Sequence, residues 1–319
     1  MKIAWAAMFL AVAAGACGGG GGEKAPVYTP VSVTNDGDVY TLQLGDLKMV
    51  VDGARGAHVA EFSLFGTNVL LTRDQNRNTY GSVYWPSPQA SWCAAGGGCW
   101  PPPAAIDEQA YTGSIDTGSV GLISGVASLG GVADAMLTVG KIFTPVPEHG
   151  AVDITYVLNP TTASVVLAPW QLSRVLTGGI TFFGQGSGDV TYTQDSDPTF
   201  AVTDGAGDRW YASAPVSHDS KAFADGTGWL AHVTPDRMLY LMSFPDLQPA
   251  DAAPGEAEIE IFTNRDYVEI EGQGPLATVV PGNAMLWTVR WKLRRVPAGT
   301  PIEAGNAELA AFAAVVLAE

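Results

Sequence analysis

Between residues 39 and 296, short runs rich in Val, Ile, Thr, Tyr and Phe alternate with clusters of Gly, Asp, Asn and Pro, and helical periodicity is nearly absent. Residues 39–52, 57–66, 67–72, 135–144, 151–159, 164–176, 180–184, 189–193, 229–234, 237–245, 256–264, 266–272 and 285–296 all read as strands. In EAEIEIFT (256–263) and TVRWKLRRV (288–296) the alternation is strict, which predicts one wet face. So many strands with no helix between them predict an all-β fold, a large antiparallel sandwich. One helix is expected, in the tail AELAAFAAVVLAE (307–319), whose aliphatic run can cap a sheet or its edge. No linker interrupts residues 30–297 and no fixed-period repeat occurs, so 30–297 reads as one β-sandwich domain and 298–319 as a helical tail.

Composition narrows the possible partners. With 319 residues and 47% hydrophobic content, the chain can bury a sizeable core. A net charge of −16 argues against nucleic acid and against adhesion to an anionic membrane by charge, and it suits a neutral ligand. The N-terminus places Lys2 before an apolar run, Ile3 to Ala13, too short for an ordinary membrane span, then small residues and Cys17. Residues 1–17 therefore read as an export signal, and Cys17 followed by Gly18 to Gly22 resembles a lipoprotein cysteine with a Gly-rich tether over 18–29. The usual leucine three residues before the cysteine is Ala14 here. The expected location is the periplasm or cell surface, with membrane contact only through a lipid at Cys17.

Export changes the reading of Cys93 and Cys99. In an oxidising compartment, two cysteines separated by AAGGG favour a disulfide; zinc would need two further ligands, and the histidines lie far off in sequence. These cysteines sit in YWPSPQASWCAAGGGCWPPP (84–103), whose prolines predict a mostly irregular segment, neither helix nor central strand. Trp85, Trp92 and Trp100 on such a segment suggest flat apolar platforms for the C–H face of a sugar ring, with Gln89 placed to donate and accept. The rival reading is that these tryptophans plug the end of the sandwich.

Two further clusters carry polar chemistry. In RDYVEIEGQ (265–273) a strand would project Tyr267, Glu269, Glu271 and Gln273 on one face and Val268 and Ile270 into the core. Two adjacent carboxylates repel, and burial raises one pKa, which suits a general base or a hydroxyl acceptor. EAEIE (256–260) shows the same alternation without special context, so a solvated face is the competing reading. In LAPWQLSRVLTGGITFF (167–183), Trp170, Gln171 and Arg174 interrupt an apolar run, and Arg174 could pair with one of the two glutamates. GQGSG (184–188) is not followed by a helix, so a phosphate loop is excluded, and NDGD (35–38) reads as a tight turn. No metal or cofactor motif is present.

These residues resemble the galactose-mutarotase-like superfamily of sugar-binding supersandwiches. GAHVAEFSLFG (56–66) matches its opening stretch, and VEIEGQGPLATVVPGNAMLWTVRWKL (268–293) its closing strand, P-G turn and final strand. Aldose 1-epimerases carry a similar L-E-x-Q run whose glutamate is the catalytic base, and Ile270-Glu271-Gly272-Gln273 matches it, so the resemblance implies Glu271 as base. WPSPQASW, APWQLSR and YVEIEG look like an uncharacterised bacterial branch of that superfamily, known mainly as a domain of unknown function. The chain departs from the epimerases where their Asn-His-x-x-Phe motif supplies the acid: Ala168-Pro169-Trp170-Gln171 stands there. His58, in the opening strand, and His149, in a turn, are no natural substitutes; His218 is the only histidine in a polar loop, and His218, Lys221 or Arg174 would have to assist at the ring oxygen. Three functions stay open: an exported carbohydrate-binding protein without chemistry, an epimerase-like enzyme with Glu271 as base, and a structural envelope lipoprotein.

Overall fold

Two antiparallel sheets face each other across a shared core, as the alternating runs require. The computed structural model describes residues 25–93, 99–130 and 135–319, so residues 1–17 with Cys17, expected to be an export signal, and residues 18–24 of the expected tether lie outside the described residues. Among those described, the first sheet has twelve strands and the second eleven. Part of the first sheet runs in the order Ser82–Ser87, Val165–Leu176, Tyr267–Gln273, Ile259–Thr263, Ser220–Ala224 and Thr191–Tyr192. These six strands build the site.

The inner faces are filled by large side chains. Phe62 of the first sheet meets Tyr240 and Trp291 of the second edge-on, with ring centroids 5.6 and 5.3 Å away. Each such ring, removed from water, contributes about 1.5–3 kcal/mol. The outer face of the second sheet is closed by the expected C-terminal helix, Ala307–Ala318. Asn306 caps it, its side-chain oxygen accepting from the amides of Glu308 (3.0 Å) and Leu309 (2.9 Å). The helix buries Leu309, Ala313 and Val316 on a cluster containing Trp210, Leu239, Leu241 and Val296.

The proline-rich segment differs from its sequence reading. Its first part, Ser82–Ser87, is a fully buried strand paired with Val165–Leu176. Pro86 lies directly opposite Pro169, so at this register neither strand asks the other for a donor. Gly81 starts the strand at a φ of 65°, and a Cβ there would stand 2.2 Å from the Val59 carbonyl oxygen. Ser220–Ala224, read from sequence as a polar loop around Lys221, is also a strand. Its pattern SKAFA is too short and too poor in β-branched residues to stand out, and pairing with Ile259–Thr263 decides it.

Candidate functional site

The outer face of the first sheet carries a cavity of about 600 Å³. Strand alternation determines what reaches it. On Val165–Leu176, residues Trp170 and Arg174 point outward, while Gln171 and Ser173 point inward. The Ser173 hydroxyl lies 2.9 Å from the Tyr240 hydroxyl of the second sheet, which marks the inner face. Cross-strand pairing then sets Glu269 beside Arg174, Glu260 beside Glu271, and Lys221 beside Phe262. Trp85, Gln89, Trp100, Trp170, Arg174, Lys221 and Glu269 all line the cavity.

The tryptophans share the work unequally. Trp100 is 61% exposed and is the open platform, whereas Trp85 and Trp170 are nearly buried and offer edges. Trp85 meets Trp170 and Trp100 edge-on, with centroids 5.2 and 5.4 Å away. Trp92 does not line the cavity: it stacks behind Trp170 at 6.0 Å and donates its indole N–H to the Pro86 carbonyl at 2.6 Å. The plug reading thus describes the placement of Trp92. Trp85 is held from behind by a hydrogen bond to Asp107 (2.8 Å), and the Arg174 guanidinium lies 5.6 Å from its ring centroid. Cys93 and Cys99 form a disulfide, and the Gln89 amide donates to the Cys99 carbonyl at 3.0 Å, so Gln89 and the Trp100 loop are tied together.

Below the cavity floor lies a charged knot that the sequence hinted at only in part. The Lys221 ammonium sits 2.5 Å from Glu260 and 3.1 Å from Glu271, and the Trp170 indole donates to the same Glu271 oxygen at 2.7 Å. Both carboxyls are completely buried. Burial lifts them above the ordinary 4.5, Glu260 to about 7 and Glu271 to about 8, and Lys221 offsets only part of that. Burial alone would lower Lys221, but the two carboxylates raise it, so it remains an ammonium. One ammonium cannot balance two carboxylates, so near neutral pH the pair retains a proton. Glu269 is different: it reaches the cavity and is bonded to Arg174 at 2.7 Å. Glu260 was dismissed in sequence as a residue without context; its context is the register that sets it opposite Glu271.

Other expected residues fall elsewhere. Gln171 is fully buried on the inner face, donating to Ser82 (2.9 Å) and Ser173 (2.8 Å), and does not reach the cavity. Glu271 lies beneath Trp170 and Lys221 rather than on the cavity wall. His218 is exposed, bonded to the Ser217 hydroxyl (2.8 Å), and lies off the cavity wall, while its neighbour Asp219 lines it. Tyr267, expected on the same face as Glu269, lines the wall too; Thr79, Thr193, Ser220, Phe262 and Asn264 complete it, and none of these is marked by sequence for this role, because they come from separate strands and turns.

Comparison with solved structures finds the same architecture at very low identity. A galactose mutarotase-like protein from Lactobacillus casei aligns at a TM-score of 0.56 and 9% identity, over 80% of this chain and 100% of that one. A galactose mutarotase related enzyme from Lactobacillus acidophilus aligns at 0.54 and 8%, over 82% and 98%. A galactose mutarotase-like protein from Clostridium acetobutylicum aligns at 0.51 and 10%, over 83% and 98%. No family model and no curated protein matches the chain. The shared feature is the fold.

Proposed function

We propose that this chain, a galactose-mutarotase-like β-sandwich, is an exported carbohydrate-recognising protein that binds a sugar in the cavity on its first sheet. The observation that carries the reading is the mixed lining of that cavity. Trp100 presents an exposed ring beside the nearly buried Trp85 and Trp170, and Gln89, Thr193, Asn264, Asp219, Arg174 and Glu269 present donors and acceptors within the same 600 Å³. An apolar platform faced by hydroxyl-matching groups is what a pyranose ring requires. Export by residues 1–17, and anchoring through a lipid on Cys17, belong to the same proposal and would set the cavity at the cell surface.

Binding without chemistry is preferred over an epimerase. Anomer exchange needs a base at the C1 hydroxyl and an acid at the ring oxygen. Glu271, the base implied by resemblance, is covered by Trp170 and Lys221, and none of the described histidines lines the cavity. The test is thermal-shift screening of the purified protein against a panel of mono- and oligosaccharides. A ligand of the folded state raises Tm by mass action, and Trp100→Ala should reduce the rise at a given sugar concentration. No rise across the panel at concentrations well above millimolar would overturn the reading. NMR exchange spectroscopy on any sugar that binds addresses chemistry: anomer exchange above the uncatalysed rate, lost in Glu271→Gln, would replace binding by epimerisation.

A further inference from the structure

A second cavity, of about 490 Å³, lies along the same sheet face. Its floor comes from the strands that already serve the first. On Ser220–Ala224, Lys221 lines the first cavity and Phe223, two residues on and therefore on the same face, lines the second. At the sheet edge Thr193 lines the first and Thr191 the second. The Lys221 ammonium stands between them, 4.6 Å from the Trp170 ring centroid and 5.4 Å from that of Phe223. Gln89 of the first cavity and Glu256 of the second also meet at this boundary, with the Gln89 backbone nitrogen 3.5 Å from the Glu256 carboxylate. The two cavities are thus adjacent on one sheet face, with Lys221 and the Gln89–Glu256 contact at the boundary between them.

The far wall explains the glycine-rich GQGSG run. Ser187 donates from its amide and its hydroxyl to the Asp225 carboxylate, and the Gly186 amide donates to the Asp225 carbonyl at 3.2 Å. A Cβ on Gly186 would stand 2.4 Å from the Gly226 carbonyl oxygen, so only glycine allows this approach. The facing turn is held by buried Glu258, which accepts from the amides of Gly226 (2.7 Å), Gly228 (3.0 Å) and Leu247 (3.0 Å). The wall is thus pinned in shape by buried hydrogen bonds. Its lining includes Asp189, Asp225 and Glu256 and no lysine or arginine.

We propose that this second cavity is a further sugar subsite, with Phe223 as its platform, and that the ligand is a neutral oligosaccharide of at least two units. The inference rests on the carbohydrate reading of the first cavity and extends it. Carboxylates accept from sugar hydroxyls but repel uronates and sulfated sugars, and the adjoining cations are already engaged, Lys221 by Glu260 and Glu271 and Arg209 by Asp204 and the carbonyls of Gly188 and Asp225. The first cavity takes one ring against Trp100, and the chain continues past Lys221 towards Phe223.

Calorimetric titration of the purified protein decides it. The probes are glucose, galactose, mannose and N-acetylglucosamine, each beside its linear tetrasaccharide. In one series the tetrasaccharide should bind about tenfold more tightly than the monosaccharide, the gain of one more stacked ring. Phe223→Ala should bring that ratio close to one. Thr191→Arg, an exposed edge-strand change that fills the subsite without touching the core, should do the same should Phe223→Ala fail to fold. A ratio near one in the unmodified protein, or a ratio kept in both variants, overturns the second subsite and leaves the first intact. Tighter binding of a galacturonate tetrasaccharide than of any neutral one overturns the neutral class. No titration by any sugar overturns the carbohydrate reading and this inference together.

Discussion

Two tryptophan clusters lie on the outer faces of the two sheets, and they meet opposite ends. On the second sheet, Trp210 stacks on Phe182 with centroids 4.3 Å apart, Trp229 packs edge-on at 5.7 Å, and the C-terminal helix seals the group. On the first sheet, Trp85, Trp92, Trp100 and Trp170 touch one another, but Arg174, Lys221, Glu269 and Glu271 are threaded between them. A short turn at Gln89–Trp92 and a loop cover that face only in part, leaving Trp100 exposed. Tryptophan content therefore does not mark a site; incomplete cover combined with charge does.

The sharpest way to separate the regions is truncation of the sealed one. Trp210→Ala should cost about 3–5 kcal/mol in urea unfolding, by loss of burial and by the cavity left under the helix. Sugar affinity of the folded fraction should be unchanged. A loss below about 1 kcal/mol would show that the helix does not seal that face.

The charged floor should respond next. Lys221→Met removes the ammonium between two buried carboxyls and should cost about 3 kcal/mol at pH 8. The cost should shrink at pH 5, where both carboxyls can protonate; denaturant midpoints at the two pH values check this. An equal cost at both would mean that the carboxyls do not titrate together with Lys221.

The unmodified protein should carry the same signature more weakly. Glu260 and Glu271 have folded pKa values, about 7 and about 8, above the ordinary 4.5. The folded state therefore holds protons that the unfolded chain releases from about pH 4.5 upward, and stability falls as pH rises through 5 to 8. Glu258, raised by burial to about 7, adds the same sign. Glu260→Gln should flatten the decline in Tm without removing it. Buried His58, His232 and Lys141, whose pKa values burial lowers, act with the opposite sign, so the comparison between the two proteins is what decides: a pH dependence of Tm left unchanged by Glu260→Gln would contradict the buried floor.

The smallest stability effect belongs to the open cluster. Trp100→Ala should change unfolding free energy by no more than about 0.5 kcal/mol, because the ring is mostly solvated. Its effect on sugar binding should be about tenfold, read by titration. The two tryptophan clusters would then differ in kind: one holds the fold, the other the ligand.

Much of this was readable before any coordinates. Alternation in DYVEIEGQ assigns Glu269 and Glu271 to one face, because a strand has a period of two whatever it pairs with. Cys93 and Cys99, close in the chain with glycines between, pair as expected. The helix follows from its apolar run. The prolines of the 84–103 segment misled, since Pro86 is harmless in a strand once Pro169 is opposite. Trp92 and Gln171 look like Trp100 and Trp170 in composition, yet one packs behind the wall and the other faces the core.

The sequence by itself determined the longer alternating strands, the faces on which neighbouring side chains lie together, the disulfide and the terminal helix, because those depend on periods and spacings within short stretches; Ser82–Ser87, Ser220–Ala224 and the short pair Thr112–Asp116 and Ser119–Ile123 are strands it did not mark. Only the tertiary structure decided that Lys221, Glu260 and Glu271 share one knot and that Glu269 rather than Glu271 reaches the cavity wall. These residues lie on separate strands whose register is set by pairing across the sheet. Which face stays open was likewise a tertiary matter, since it depends on where distant segments come to rest: the terminal helix covers one sheet, and among the described residues the turn Gln89–Trp92 and the exposed Trp100 cover the other incompletely.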